Sequence, residues 1–185
     1  MSLLDNSRTD KNTVHSYLGL YFFLLERIKY KALNVLEVGI CEGGSIKMWN
    51  DFFPNATVHG LDKMHIDTVW EGIKNNEKIK LYTSIDAYDS NFVKNTFLDR
   101  NIRCDFILDD GSHELDDMKK FIKLYSEIMA EDGILIIEDV QDVKWLQILK
   151  DETPDHLKPY VKTYDLRANK NRRDDIVFTI DKCNI

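Results

Sequence analysis

"VLEVGICEGGSIKMW", Val35 to Trp49, changes character in its middle. Its first residues are an apolar, β-branched run broken by one acid, and its last ones open an amphipathic helix. The segment therefore reads as a strand, a glycine-rich hinge and a helix. Outward from it, apolar runs of strand length recur at Asn34–Ile40, Thr57–Asp62, Ile79–Ile85, Asp105–Leu108 and Gly133–Ile137. Helical patterns lie between them at Ser45–Phe53, Ile66–Asn75, Ser90–Arg100, Glu114–Ala130 and Val143–Lys150. Runs such as Ile134-Leu135-Ile136-Ile137 are apolar on both faces, as buried parallel strands must be. The alternation predicts an α/β fold, a mainly parallel sheet with helices on both faces. After Pro154 and Pro159 the rhythm changes, and Lys162–Arg167 and Ile176–Ile180 read as an antiparallel strand pair joined by a basic loop. Ahead of the first strand, Val14–Tyr30 reads as an aromatic-rich helix that offers a face for self-association as a homo-oligomer.

A chain of 185 residues with 43% apolar content suits one sizeable core, so a single domain spanning 1–185 is expected, with 1–33 as a helical lid segment and 34–185 as the sheet core. A formal charge of −7 argues against a duplex nucleic-acid surface. Cys41, Cys104 and Cys183 lack metal-ligand spacing and read as reduced thiols of a cytoplasmic protein. No run approaches the length of a membrane span, and the expected setting is soluble and unprocessed.

In an open parallel sheet, ligands bind at the carboxyl ends of the strands, where the strand order reverses. The hinge Gly39-Ile40-Cys41-Glu42-Gly43-Gly44-Ser45 lies at such an end. It matches neither the dinucleotide fingerprint nor a nucleoside-triphosphate loop. It does carry Glu37 two residues before its first glycine, and Asp62 closes the next strand, where a carboxylate suits a ribose diol. Together these point to an adenosine-containing ligand without a pyrophosphate.

Two acidic strand ends add to this. "ILDDGSHELDD", Ile107 to Asp117, runs into Asp109-Asp110, turns at Gly111 and enters a helix through Ser112, a plausible N-cap, and His113. "ILIIEDVQD" runs into Glu138-Asp139. Adjacent parallel strands bring the two pairs to one edge, where they are either solvated strand ends and helix caps or oxygen ligands of a hard cation such as Mg²⁺. Adjacent residues on a strand point to opposite faces, so Glu138 and Asp139 share an ion only if the backbone turns there. His113 is either a surface residue of a first helical turn or a general base.

With these motifs in place, the sequence resembles the class I S-adenosylmethionine-dependent methyltransferases. Glu37-Val38-Gly39-Ile40-Cys41-Glu42-Gly43 follows that family's acid-x-G-x-G-x-G pattern, with Cys41 replacing the middle glycine. Within it, the chain looks most like the Mg²⁺-dependent sugar O-methyltransferases of macrolide antibiotics, the mycinamicin and macrocin type. Beyond the two acidic motifs, "TDKNTVHSYLGLY" from Thr9, "GGSIKMWNDFFPNATVHGLD" from Gly43 and "DLRANKNRRDDIVFTI" from Asp165 carry the resemblance over nearly the whole chain. It implies a Rossmann-like sheet that binds S-adenosylmethionine through Glu37, Gly39, Gly43, Asp62, Asp86 and Asp109. It also implies Mg²⁺ on Asp110, Glu138 and Asp139, with His113 as the catalytic base. The macrolide enzymes carry a long N-terminal extension that this sequence lacks, so the expected acceptor is a hydroxyl of a sugar, glycan or other small molecule, not a macrolide in particular. Rival readings are a metal-free methyltransferase for another acceptor atom, and an inactive S-adenosylmethionine-binding protein.

Several stretches carry two readings. Thr9-Asp10-Lys11 and His15-Ser16-Tyr17 form either a lid over the cofactor or a surface N-cap region. The loop Arg167–Asp175 either contacts an anionic acceptor or is a solvated hairpin tip. His59 and His65 read as ordinary surface or strand residues, and Trp49, Phe52 and Phe53 as helix-to-sheet core.

Overall fold

The computed structural model describes residues 8–183, so residues 1–7 of the expected lid segment and residues 184 and 185 lie outside the described residues. Seven strands form one sheet: β1 Asn34–Val38, β2 Thr57–Leu61, β3 Ile79–Tyr82, β4 Cys104–Asp109, β5 Met129–Ile137, β6 Val161–Asp165 and β7 Ile176–Asp181. Their spatial order is β3-β2-β1-β4-β5-β7-β6. The first five pair in parallel, and β7 runs antiparallel to both β5 and β6. This is the mainly parallel sheet with an antiparallel C-terminal pair that the hydrophobic pattern predicts. The chain leaves β1 toward β2 and β3, then returns across the sheet to β4. The order therefore reverses between β1 and β4, and their carboxyl ends flank the crevice where ligands bind in such sheets.

Side-chain alternation divides the interior in two. Val35, Phe106, Leu108, Ile134 and Ile136 pack on one face with α1 (Leu18–Leu25) and α2 (Gly44–Phe52). Leu36, Val38, Ile107, Leu135 and Ile137 pack on the other with α5 (Leu115–Tyr125). Trp49 and Phe53 are buried in the first core, as expected of helix-to-sheet packing. In α5, Met118, Phe121, Ile122 and Tyr125 form the buried stripe, with Asp116 and Asp117 favourably placed in its first turn.

The elements differ from expectation mostly at their ends. The helix expected over Val14–Tyr30 shortens to α1 and one 3₁₀ turn, Glu26–Ile28, because His15, Ser16 and Tyr17 turn inward to acids. Ile66–Asn75 divides into a 3₁₀ turn, Ile66–Thr68, and a short α3, Glu71–Lys74. Ser90–Arg100 is a short α4, Ser90–Val93, followed by a π-turn, Lys94–Leu98. The helix expected to reach Ala130 stops as α5 plus one 3₁₀ turn, Ser126–Ile128, because Met129 pairs with Cys104 and opens β5. Ser112 is not the α5 N-cap; Glu114 holds that position, and the Ser112 hydroxyl accepts from its amide at 3.3 Å. α6 (Trp145–Glu152) packs against α5, and a short α7 (Arg167–Lys170) lies in the loop between β6 and β7.

Candidate active site

Strand register builds the site. Val38 pairs with Leu61 and with Asp109, and Asp109 pairs with Ile137. The first residues beyond those strands, Gly39, Asp62, Asp110 and Glu138, therefore stand in one row. The ladder continues into this row: the Asp110 amide donates to the Val38 carbonyl at 2.9 Å and the Glu138 amide to the Asp109 carbonyl at 3.2 Å. A cavity of about 900 Å³ opens over it, lined by Gly39–Glu42, Asp62–Met64, Ser84–Tyr88, Asp110–His113, Asp139 and part of the segment before α1. That volume suits a nucleoside-sized ligand with room beside it for an acceptor.

The hinge is held from below. Asp62 Oδ2 accepts from the Ile40 and Cys41 amides, both at 2.9 Å, and Oδ1 accepts from the Met64 amide at 2.8 Å. Three of the carboxylate's roughly four acceptor positions are thus taken by backbone, and the residue itself lines the cavity. Gly39 has φ 83°, and a Cβ there would stand 1.9 Å from the Asp110 carbonyl oxygen. The two loop backbones touch, and glycine is required at 39. Gly43 caps α2 and lies off the cavity wall, beside Ile73. Asp86 lines the wall and accepts from the Tyr88 amide at 2.9 Å.

Strand parity sends the other acids to different faces. Glu37 is in phase with Val35, so it points into the first core, fully buried, and accepts from Trp49 Nε1 at 2.9 Å. The wall does not include it. Asp109 is in phase with Ile107 and lies behind the wall, where it accepts from the Tyr88 hydroxyl at 2.8 Å. Burial drives the Asp109 carboxyl up to about 7, against the help of that hydrogen bond.

Asp110 and Glu138 share the face of Glu37, and there the structure holds a residue that sequence reasoning missed. Lys11, 1% exposed, places its Nζ 2.6 Å from Asp110 Oδ2, within hydrogen-bonding distance of Glu138 Oε1 and 3.4 Å from Glu37 Oε1. Burial opposes its charge, but the three carboxylates outweigh burial and raise the Lys11 pKa well above its ordinary value. Burial in turn pushes Glu37 and Glu138 up to about 7, against the pull of the ammonium. Lys11 is thus no surface residue. Its partners lie 26 to 127 positions away in sequence, so no local spacing announces it.

Asp139 follows Glu138 at a turn of the backbone. The strand ends at Ile137 and Asp139 has φ 55°, the backbone turn needed for neighbouring acids to approach one edge. Its Oδ1 accepts from the Tyr17 hydroxyl and lies 3.3 Å from His15 Nδ1. His15 Nδ1 is also 2.7 Å from Asp175 Oδ1, and Ser16 Oγ donates to Asp175 Oδ2 at 2.9 Å. Burial opposes a charge on His15, yet Asp139, Asp175 and Asp10 raise its pKa. His113, at φ 58° and about a third exposed, stands on the cavity wall with Nε2 4.0 Å from Asp110 Oδ1 and 3.9 Å from Asp139 Oδ2.

Asp110, His113 and Asp139 therefore converge, each offering one ligand atom within 4.8 Å of the others. Glu138 lies beside them with Oε2 buried and lacking a hydrogen-bond partner. Such carboxylate oxygens suit a hard divalent cation, and the orphaned oxygen is the kind of group a cation satisfies. A second group, His15, Asp139, Asp174 and Asp175, is internally hydrogen-bonded. The basic loop is occupied with structure: Lys170 donates to the Asn12 and Thr13 carbonyls, and Arg167 and Arg172 pair with Asp165 and Asp174. His59 is buried in β2 and stacks on Tyr82, while His65 lies exposed.

No family model matches the chain. It is 25% identical over 139 residues to the L-olivosyl-oleandolide 3-O-methyltransferase of Streptomyces antibioticus, covering 71% of this chain and 34% of that one. It is 30% identical over 128 residues to the mycinamicin VI 2''-O-methyltransferase of Micromonospora griseorubida, covering 61% of this chain and 28% of that one. The chain spans about a third of the length of the curated relatives it matches. Among solved structures, MycE of the mycinamycin pathway, in complex with Mg, SAH and mycinamycin VI, superposes with a TM-score of 0.69 at 19% identity, over 91% of this chain and 50% of that one. A putative caffeoyl-CoA O-methyltransferase from Staphylococcus aureus gives 0.62 at 15% identity, over 90% and 83%. The fold is that of the class I S-adenosylmethionine-dependent methyltransferases, and the curated sequence relatives of this chain are sugar O-methyltransferases.

Proposed function

We propose that the chain is an S-adenosylmethionine-dependent, Mg²⁺-dependent O-methyltransferase acting on a hydroxyl of a sugar, glycan or other small molecule. The observation that carries this reading is the row of strand ends: a hinge held by Asp62 on one side of the crevice, and Asp110, His113 and Asp139 converging on the other. In this reading Gly39 and the hinge bear the methionine part, Asp62 offers its remaining acceptor position to the ribose and Asp86 lies by the adenine. Asp110, Glu138 and Asp139 hold the ion. Bound there, S-adenosylmethionine supplies an electrophilic methyl group and Mg²⁺ lowers the pKa of the acceptor hydroxyl. His113 takes the hydroxyl proton on Nε2, and Asp110 and Asp139 stabilise the imidazolium that forms. Gly39 sets the distance between the two halves of the crevice, so much of the acceleration is positional.

Glu37 and Asp109, both off the wall, act on the cofactor side through residues that line it, Glu37 through Ser45 and Asp109 through the Tyr88 hydroxyl and the Gly111 backbone. Three free cysteines fit a cytoplasmic setting. Among the described residues no helix is long and apolar enough to cross a membrane. For self-association, the exposed Phe22 and Phe23 of α1 are the face to test by sedimentation.

The direct test is transfer of labelled methyl from S-adenosylmethionine to a panel of sugars and diols by metal-stripped protein with and without Mg²⁺. Transfer is expected to need the ion, to vanish in Asp110→Asn with cofactor binding retained, and to fall about 10²–10⁴-fold in His113→Ala. Undiminished transfer in excess chelator contradicts the metal role. It would favour a metal-free methyltransferase, a reading supported by the Lys11 ammonium already lying among the acids.

A further inference from the structure

The Lys11 ammonium already occupies one oxygen of each of two proposed ion ligands, Asp110 Oδ2 and Glu138 Oε1. A divalent ion taken up by the same two carboxylates would lie beside it, two positive charges in a buried site. Two carboxylate oxygens of the ammonium's partners are buried and without a hydrogen-bond partner: Glu138 Oε2, and Glu37 Oε1 at 3.4 Å from Nζ. One is an unused ligand for an ion. The other is an unused acceptor for the ammonium.

We infer that the Lys11 ammonium and a divalent cation are alternative partners of Asp110 and Glu138, and that the ammonium withdraws onto Glu37 when the ion binds. The inference rests on the metal reading above. It makes Lys11 and Glu37 positioning residues that neither touch the acceptor nor line the cavity. It also links ion binding to the segment that carries Lys11. That segment packs against the hinge side of the cavity, where the Arg8 carbonyl would lie 2.2 Å from a Cβ at Gly44, and Arg8 pairs with Glu42 at 3.3 Å. Thr9, Asp10 and Thr13 form part of the cavity wall. An ion that displaces the ammonium thus reaches the cofactor side through the chain between Arg8 and Lys11.

The test is Mg²⁺ titration, by calorimetry in the presence of S-adenosylhomocysteine, of the wild type, Lys11→Met and Glu37→Gln. Removing the competing ammonium should tighten Mg²⁺ binding about tenfold or more, and removing the charge that receives it should weaken binding by about as much. Opposite signs are the signature, because loss of purely structural contacts would weaken both variants. Equal or weaker binding by folded Lys11→Met, with the wild type still binding, overturns the inference and leaves the metal reading standing. Failure of every form to bind removes the metal reading and the inference together. Should Lys11→Met not fold, the Nζ resonance of ¹⁵N-lysine-labelled wild type decides. It should shift as Mg²⁺ saturates; an unmoved resonance overturns the exchange.

Discussion

Asp62 holds the hinge from the end of β2, and in the proposed reading the same side chain meets the ribose. Its position at the end of a strand was readable from the sequence, and so was its place beside the hinge. Its bonds to the Ile40 and Cys41 amides were not, because they depend on how β1 and β2 align. Asp62→Ala should strand those amides, destabilising the fold by about 1–3 kcal/mol and weakening S-adenosylhomocysteine binding, whereas Asp62→Asn should retain part of both. Denaturant melts and titration separate the two effects. Gly39→Ala is the more severe change, since it meets both the positive φ and the Asp110 carbonyl 1.9 Å away; a loss above roughly 2 kcal/mol is expected. A Gly39→Ala variant as stable as the wild type would mean that the two loops are not in contact. The same division runs through the acids. The motif around Asp109 and Asp110 marked a candidate site, but which carboxylate faces the cavity depended on strand parity, and the long-range partners Lys11, Tyr17 and Tyr88 left no local signal.

Among the elements, those buried on both faces were the most legible. β1 and β2 announced themselves as mostly apolar stretches of strand length, β5 by the continuous run Ile134–Ile137, and the antiparallel β6–β7 pair by its change of rhythm after the prolines. Helix ends were less legible because tertiary contacts set them: β5 pairing truncates α5, and inward-turned His15 and Tyr17 shorten α1. His59 on β2 shows what such burial does to a titratable group. Burial, with Lys80 nearby, lowers its pKa from 6.5 to about 4. Between these values the unfolded chain takes up a proton that the folded one refuses. Stability contributed by the neutral ring is therefore complete above pH 6.5 and is lost as pH falls toward 4. Relative to His59→Phe, the wild type should lose up to about 3 kcal/mol across that window. Parallel stability curves for the two proteins would show that His59 keeps an ordinary pKa.

At the scale of the whole molecule, one sheet reversal organises everything else. It brings the ends of β1 and β4 to one crevice, and the adjoining strands add Asp62 and Glu138 to the row. The segment before α1 closes one side, tied to Asp110 and Glu138 by Lys11, to Asp175 by His15 and Ser16, and to Asp139 by Tyr17. A crevice built this way predicts that nucleoside and ion meet across it. Calorimetric titration of metal-stripped protein with S-adenosylhomocysteine, then with Mg²⁺ in its presence, tests this directly. Saturable binding of both is expected, with the Mg²⁺ signal lost in Asp110→Asn and the nucleoside signal retained. Absence of S-adenosylhomocysteine binding by the folded wild-type protein would overturn the assignment of the crevice to that cofactor.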